Sequence, residues 1–162
     1  MKTKQDSLNR PLGSTEQTAT LAASRPQFLV PIDFSEPSLK ALRHAQHLAA
    51  REEAGITLLN VIEEPQSFRT LNFVGRLRQT KNERLARLQT LARQEIGSNI
   101  PVKAVVRDGS PAEEITRVAS TSRSDMIILG RHERHGLHRW FHGHTATRLV
   151  SRAPCPVMFL GD

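Results

Sequence analysis

The stretch Phe28-Leu29-Val30-Pro31-Ile32-Asp33-Phe34-Ser35-Glu36-Pro37 decides the fold. Its first five residues form an apolar run without alternation, bounded by a polar residue, which is the pattern of a short strand buried on both faces. Asp33 ends the run. Ser35 is then placed to cap a helix, with Pro37 in the first turn, where a missing N–H costs nothing. Beyond it Ala41, Leu42, Ala45, Leu48 and Ala49 recur at helical spacing and supply an inner face. A strand that feeds directly into a helix reaches its next neighbour by a crossover, and crossovers join parallel strands.

The alternation of strand and helix continues after this stretch. Gly55 is expected to break the first helix, and Ile56 to Ile62 reads as a second strand, closed by Pro65. Between Ser67 and Ile96, Leu77, Leu85, Leu88, Leu91 and Ala92 fit a helical stripe; the part before about Leu77 reads equally as irregular loop, and Gly97 is expected to close the helix. Val102 to Val106 is a third strand and Asp108-Gly109 a turn. Ser110, Pro111 and Glu113 match the N-cap, first and third positions of a capping box. Ile115, Val118 and Ala119 then form a buried helix face, Met126 to Leu129 a fourth strand, Thr145 to Ser151 a short helix and Val157 to Leu160 a fifth strand. The expected fold is α/β, a doubly wound five-stranded parallel sheet with helices on both faces. Ligands of such sheets lie beyond the carboxyl ends of the strands, which points to Asp33, Asn60 and the segment after Gly130.

The whole chain has 162 residues, of which 38% are hydrophobic, enough for one core. Residues 1–27 are rich in Thr, Ser and Gln with sparse apolar groups and read as a flexible N-terminal tail, leaving 28–162 as the domain. No apolar run approaches the ~20 residues of a membrane span, and no signal-peptide core is visible, so the expectation is a soluble, cytoplasmic protein without a membrane partner. The single cysteine, Cys155, excludes an intrachain disulfide and cysteine-rich zinc modules, and reads as a small buried hydrophobe. Lys and Arg outnumber Asp and Glu by 23 to 16, a net +7 that suits anionic partners such as phosphates. The basic residues between Arg69 and Arg93 are mixed with Glu83 and Glu95, as on a solvated helix face, and 4% aromatic content with no groove-reading motif argues against a nucleic-acid partner.

Four segments carry a resemblance: Val30-Pro31-Ile32-Asp33-Phe34-Ser35, Leu58-Leu59-Asn60-Val61-Ile62, Gly109-Ser110-Pro111-Ala112-Glu113-Glu114-Ile115 and Ala153-Pro154-Cys155-Pro156-Val157. In their order and spacing, from about Phe28 to Leu160, they resemble the universal stress protein family. The resemblance implies strand order 3-2-1-4-5, a cytoplasmic stress-response domain and a homodimer, with one branch of the family binding ATP and another not. It implies Asp33 and Val61 as the residues flanking adenine. It also implies a phosphate loop of Gly, two residues, Gly, nine residues, Gly and then Ser or Thr, which here runs from Gly130 through His132 to Gly143, His144 and Thr145.

This chain departs from that loop at two markers. The second glycine is Glu133, and His144 stands in the hydroxyl position, with Thr145 one residue late. Glycines serve such a loop because backbone N–H groups must approach phosphate oxygens closely. A carboxylate ~7 Å from a phosphate charge costs about 2 kcal/mol at an effective dielectric of ~20. Arg131, Arg134 and Arg139 are near enough in sequence to offset Glu133, and His132 and His144 can donate hydrogen bonds.

Other features have plainer readings beside the functional ones. Asp33 equally suits a local turn that satisfies backbone amides, and Gly130 and Gly143 equally suit turns. His132, His135, His138, His142 and His144 include spacings that would suit zinc or nickel on a helix, but Gly136 interrupts the segment and Arg residues interleave with the imidazoles. No metal site is assigned. Enzyme-like constellations are missing: there is no nucleophile elbow, no cysteine beside a base and no Walker lysine. Taken with the resemblance, this makes the expected function that of a non-enzymatic stress-response homodimer, paired through its last strand and acting through contacts with an unidentified protein, with ATP and Mg as the candidate ligand. Its alternatives are an ATP-binding switch with slow hydrolysis and a histidine-rich metal-responsive protein.

Overall fold

A computed structural model of the chain describes residues 25–63, 73–131 and 143–161, and for 73–78 and 143–145 the backbone alone. Five strands alternate with four helices: β1 (Gln27–Pro31), α1 (Glu36–Glu52), β2 (Gly55–Ile62), α2 (Phe73–Glu95), β3 (Val102–Asp108), α3 (Pro111–Thr121), β4 (Met126–Gly130), α4 (Gly143–Arg152) and β5 (Val157–Leu160). The strands form one sheet in the order β3-β2-β1-β4-β5, and every neighbouring pair is parallel. The expected fold class and strand order are both present.

Successive side chains of a strand point to opposite faces, and in β1 both faces are covered. Phe28 and Val30 enter one core with Ala41, Leu42 and Ala45 of α1 and Leu88 of α2. Leu29 enters the other with Ala112, Ile115 and Val118 of α3 and Leu149 of α4. That is why the strand reads as an unbroken apolar run.

Several boundaries differ from the sequence reading. Gly55 does not break α1; the helix closes earlier, with Glu53 in the left-handed region at φ 52° and the Ala54 amide bonded to the Ala49 carbonyl at 2.9 Å. Gly55 instead opens β2, its amide bonded to the carbonyl of Pro26 at 2.8 Å. Helix α2 begins at Phe73, before Leu77, and ends at Glu95 without a left-handed glycine at Gly97. Helix α4 begins two residues before Thr145, at Gly143. Ser110 does cap α3, through its carbonyl and the Glu114 amide at 2.9 Å, but its side chain makes no capping bond, so the capping box is not formed. Glu113 is exposed there, and the carboxylate that turns inward is that of Glu114, paired with Arg117 at 2.9 Å. One glycine does have a conformational reason: Gly109, at φ 134°, turns the chain from β3 into α3.

Candidate functional site: a notch beyond the end of β1

Strand β2 outruns β1. The β1–β2 ladder stops at Pro31↔Leu59, whereas β2 stays paired with β3 as far as Ile62↔Asp108. On the other side of β1, β4 continues to Gly130. The sheet order reverses at β1, so the carboxyl ends of β2, β1 and β4 enclose a notch at the position where doubly wound sheets receive ligands.

The backbone shows how β1 leaves the sheet. The Ile32 amide still bonds the Leu59 carbonyl at 2.7 Å. In a regular parallel ladder the Val61 amide would bond the Ile32 carbonyl next. Among the described residues that bond is not formed; instead the side-chain Nδ2 of Asn60 donates to the Ile32 carbonyl at 2.6 Å. Since a carbonyl only accepts, the amide nitrogen and not the oxygen of Asn60 must face it. Asn60 is 1% exposed, and its Oδ1 is buried without a hydrogen-bond partner.

Asp33 follows at once and takes the local role. Its Oδ1 accepts from the Ser35 amide at 2.9 Å and from the Ser35 hydroxyl, forming a turn that leads into α1. Ser35 in turn accepts from the Ser38 amide at 3.4 Å as N-cap. Between them Phe34 sits in the left-handed region at φ 67°, with the Arg87 guanidinium 3.9 Å from its ring centroid. That stack, together with the ion pair of Lys81 and Asp108, ties the carboxyl ends of β1 and β3 to α2.

Of the residues singled out in the sequence, the fold brings Asp33, Val61 and Gly130 to the ends of three adjacent strands. Val61 is buried at 2% exposure, and Asp33 is half-buried. Gly130 owes its identity to packing, because a β-carbon there would stand 2.1 Å from the Pro37 carbonyl oxygen. Gly143, His144 and Thr145 are the first residues of α4, which, as a crossover between parallel strands, starts on the carboxyl side of the sheet. The positive end of that helix is therefore on the side of the notch. His132, Glu133, Arg134, His135, His138, Arg139 and His142 lie outside the described residues. Among the described residues no three His, Cys, Asp or Glu side chains form a group able to hold a metal.

Asn60 is the residue whose role the sequence reading did not assign. Its signal was visible: it is the one amide in the otherwise apolar end of Ile56-Thr57-Leu58-Leu59-Asn60-Val61-Ile62. A groove of about 610 Å³ lies elsewhere, at the amino end of β3, lined by Ala92, Ile96, Ile100, Val102 and Ala104 with Arg93. It holds no cluster of reactive groups and sits at the opposite end of the strands from the notch. Cys155 is half-buried against the second core rather than fully buried, and burial, with the Asp125 carboxylate nearby, pushes its thiol pKa up. No described helix is long and apolar enough to cross a membrane.

Comparison with known proteins agrees with this architecture. The model of the universal stress protein family matches residues 25–160. The universal stress protein MJ0531 of Methanocaldococcus jannaschii is 29% identical over 139 residues, covering 82% of this chain and 79% of that one. The solved structure of MJ0577, from the same organism, aligns with a TM-score of 0.70 at 25% identity, covering 85% of this chain and 96% of that one. A universal stress protein solved in complex with cAMP aligns at 0.60 and 16% identity over 85% of this chain and 97% of that one, a likeness of fold alone.

Proposed function

Since the chain belongs to the universal stress protein family, we propose that it is a non-enzymatic stress-response protein that receives an adenine nucleotide in the notch and acts through protein contacts as a homodimer. The observation that carries the nucleotide is the state of Val61. Beyond Pro31↔Leu59 its N–H and C=O face the side that β1 has vacated, and the amide is released from the Ile32 carbonyl. A donor and an acceptor side by side on a strand margin match the acceptor N1 and donor N6 of adenine. Asp33 borders the same notch, and the start of α4 offers its positive end to phosphates. The fold is also known with an adenine nucleotide, cAMP, bound in a relative.

The loop after Gly130 opposes this with Glu133, whose charge repels phosphate. The reading is therefore of modest affinity, tunable at that position. Titration calorimetry of the full chain with ATP and Mg²⁺ is expected to give saturable heat, and Glu133→Gly to tighten binding about tenfold or more. No heat with either protein would overturn the nucleotide reading, and unchanged affinity in the variant would clear Glu133 of the restraining role.

A further inference from the structure

We infer that Asn60 is a positioning residue: by taking the Ile32 carbonyl with its own side-chain amide, it ends the β1–β2 ladder one step early and leaves the Val61 N–H out of that ladder. The geometry supports this in three ways. The Ile32 carbonyl has its hydrogen bond at 2.6 Å from Asn60 Nδ2, so the buried acceptor is satisfied without Val61. The Ile32 amide remains in the ladder at 2.7 Å, so the strands have not separated; only the last rung is exchanged. And Asn60 itself is held at 1% exposure with Oδ1 unpartnered, an arrangement whose cost a structural role would avoid with an apolar side chain.

The exchange also sets the exit of β1. With its carbonyl drawn to Asn60, Ile32 leads into the Asp33–Ser35 turn and the left-handed Phe34 instead of into a further strand residue. Without the amide, the buried Ile32 carbonyl would have no partner, and the donor that a continued parallel ladder would bring to it is the Val61 N–H. Closing that rung withdraws the donor from the notch. The placement of Asn60 stands independently of any ligand; its use in selecting adenine rests on the nucleotide reading above.

The test is NMR on the full chain without nucleotide, reading couplings across hydrogen bonds. In the wild type a coupling is expected from Asn60 Nδ2 to the Ile32 carbonyl carbon and none from the Val61 nitrogen; in Asn60→Leu the coupling from Val61 appears. With nucleotide, Asn60→Leu is expected to lower ATP affinity about tenfold and to erase the preference for ATP over GTP, which differs at the base edge. A Val61 coupling already present in the wild type overturns the inference, even if no variant folds. So does a folded Asn60→Leu, or Asn60→Ala, that leaves the rung open or the ATP preference intact. An open rung in a wild type that binds no ATP upholds the placement of Asn60 and overturns only the nucleotide reading.

Discussion

A β-carbon on Gly130 would stand 2.1 Å from the carbonyl oxygen of Pro37 and 2.8 Å from the amide nitrogen of Ser38. The last residue of β4 is thus in backbone contact with the first turn of α1. No rotamer change can relieve such a clash, because both partners are main chain. The glycine that a phosphate loop would require is already required by the fold.

Gly130→Ala is accordingly expected to lower stability by about 3 kcal/mol, roughly 10 °C in melting temperature, with ATP absent. Differential scanning calorimetry measures it. A loss seen only in the presence of nucleotide would place the need for glycine in ligand binding instead.

Glu53 closes α1 in the left-handed region, where a β-carbon is crowded. Glu53→Gly relieves that crowding and loses some unfolded-state restriction in return, for an expected gain of about 0.5–1 kcal/mol. Urea denaturation would show it as a higher midpoint at unchanged slope, and a lower midpoint would show that the glutamate side chain supports the turn.

Burial and Asp125 raise the Cys155 pKa above that of a free cysteine. Its thiolate fraction at pH 8 is therefore smaller than in an unfolded chain, so alkylation by iodoacetamide should be slower in the native protein and accelerate in urea. Native reactivity matching that of a free thiol would contradict the packing of this residue.

Assembly is expected to use β5. Phe159 is 37% exposed on a strand that, among the described residues, is outermost in the sheet, and Val157, Met158 and Leu160 are only half-buried. Antiparallel pairing with a second copy covers them and is self-complementary. Val157→Lys with Phe159→Lys should sediment as a monomer; a soluble double variant that remains dimeric assigns the interface elsewhere.

The fold was legible because its deciding residues act locally and redundantly. Phe28 to Ile32 must be buried on both faces, and Ser35 with Pro37 must start a helix, whatever lies far away in the chain. Helix ends were less legible. Gly55 is a good breaker by propensity, yet the Ala54 amide found the Ala49 carbonyl first and left the glycine to the strand. Ser110 has the right neighbours for a capping box, but burial turned Glu114 inward and left Glu113 in solvent. In the site, Asp33 and Val61 could be named from the resemblance, whereas the exchange at Asn60 depends on which of two donors reaches one carbonyl, a tertiary fact that no spacing encodes.

The two margins of the sheet are unlike. Outermost on one side, β3 carries the exposed charges of Lys103 and Arg107; outermost on the other, β5 carries none. Growth by strand addition needs an adhesive border at both ends of each unit, as a chain needs two hooks per link. A body with one fended border and one open one would exhaust its valence in a single union, so that the expected joining at β5 would give a closed pair and leave a third copy nothing to extend.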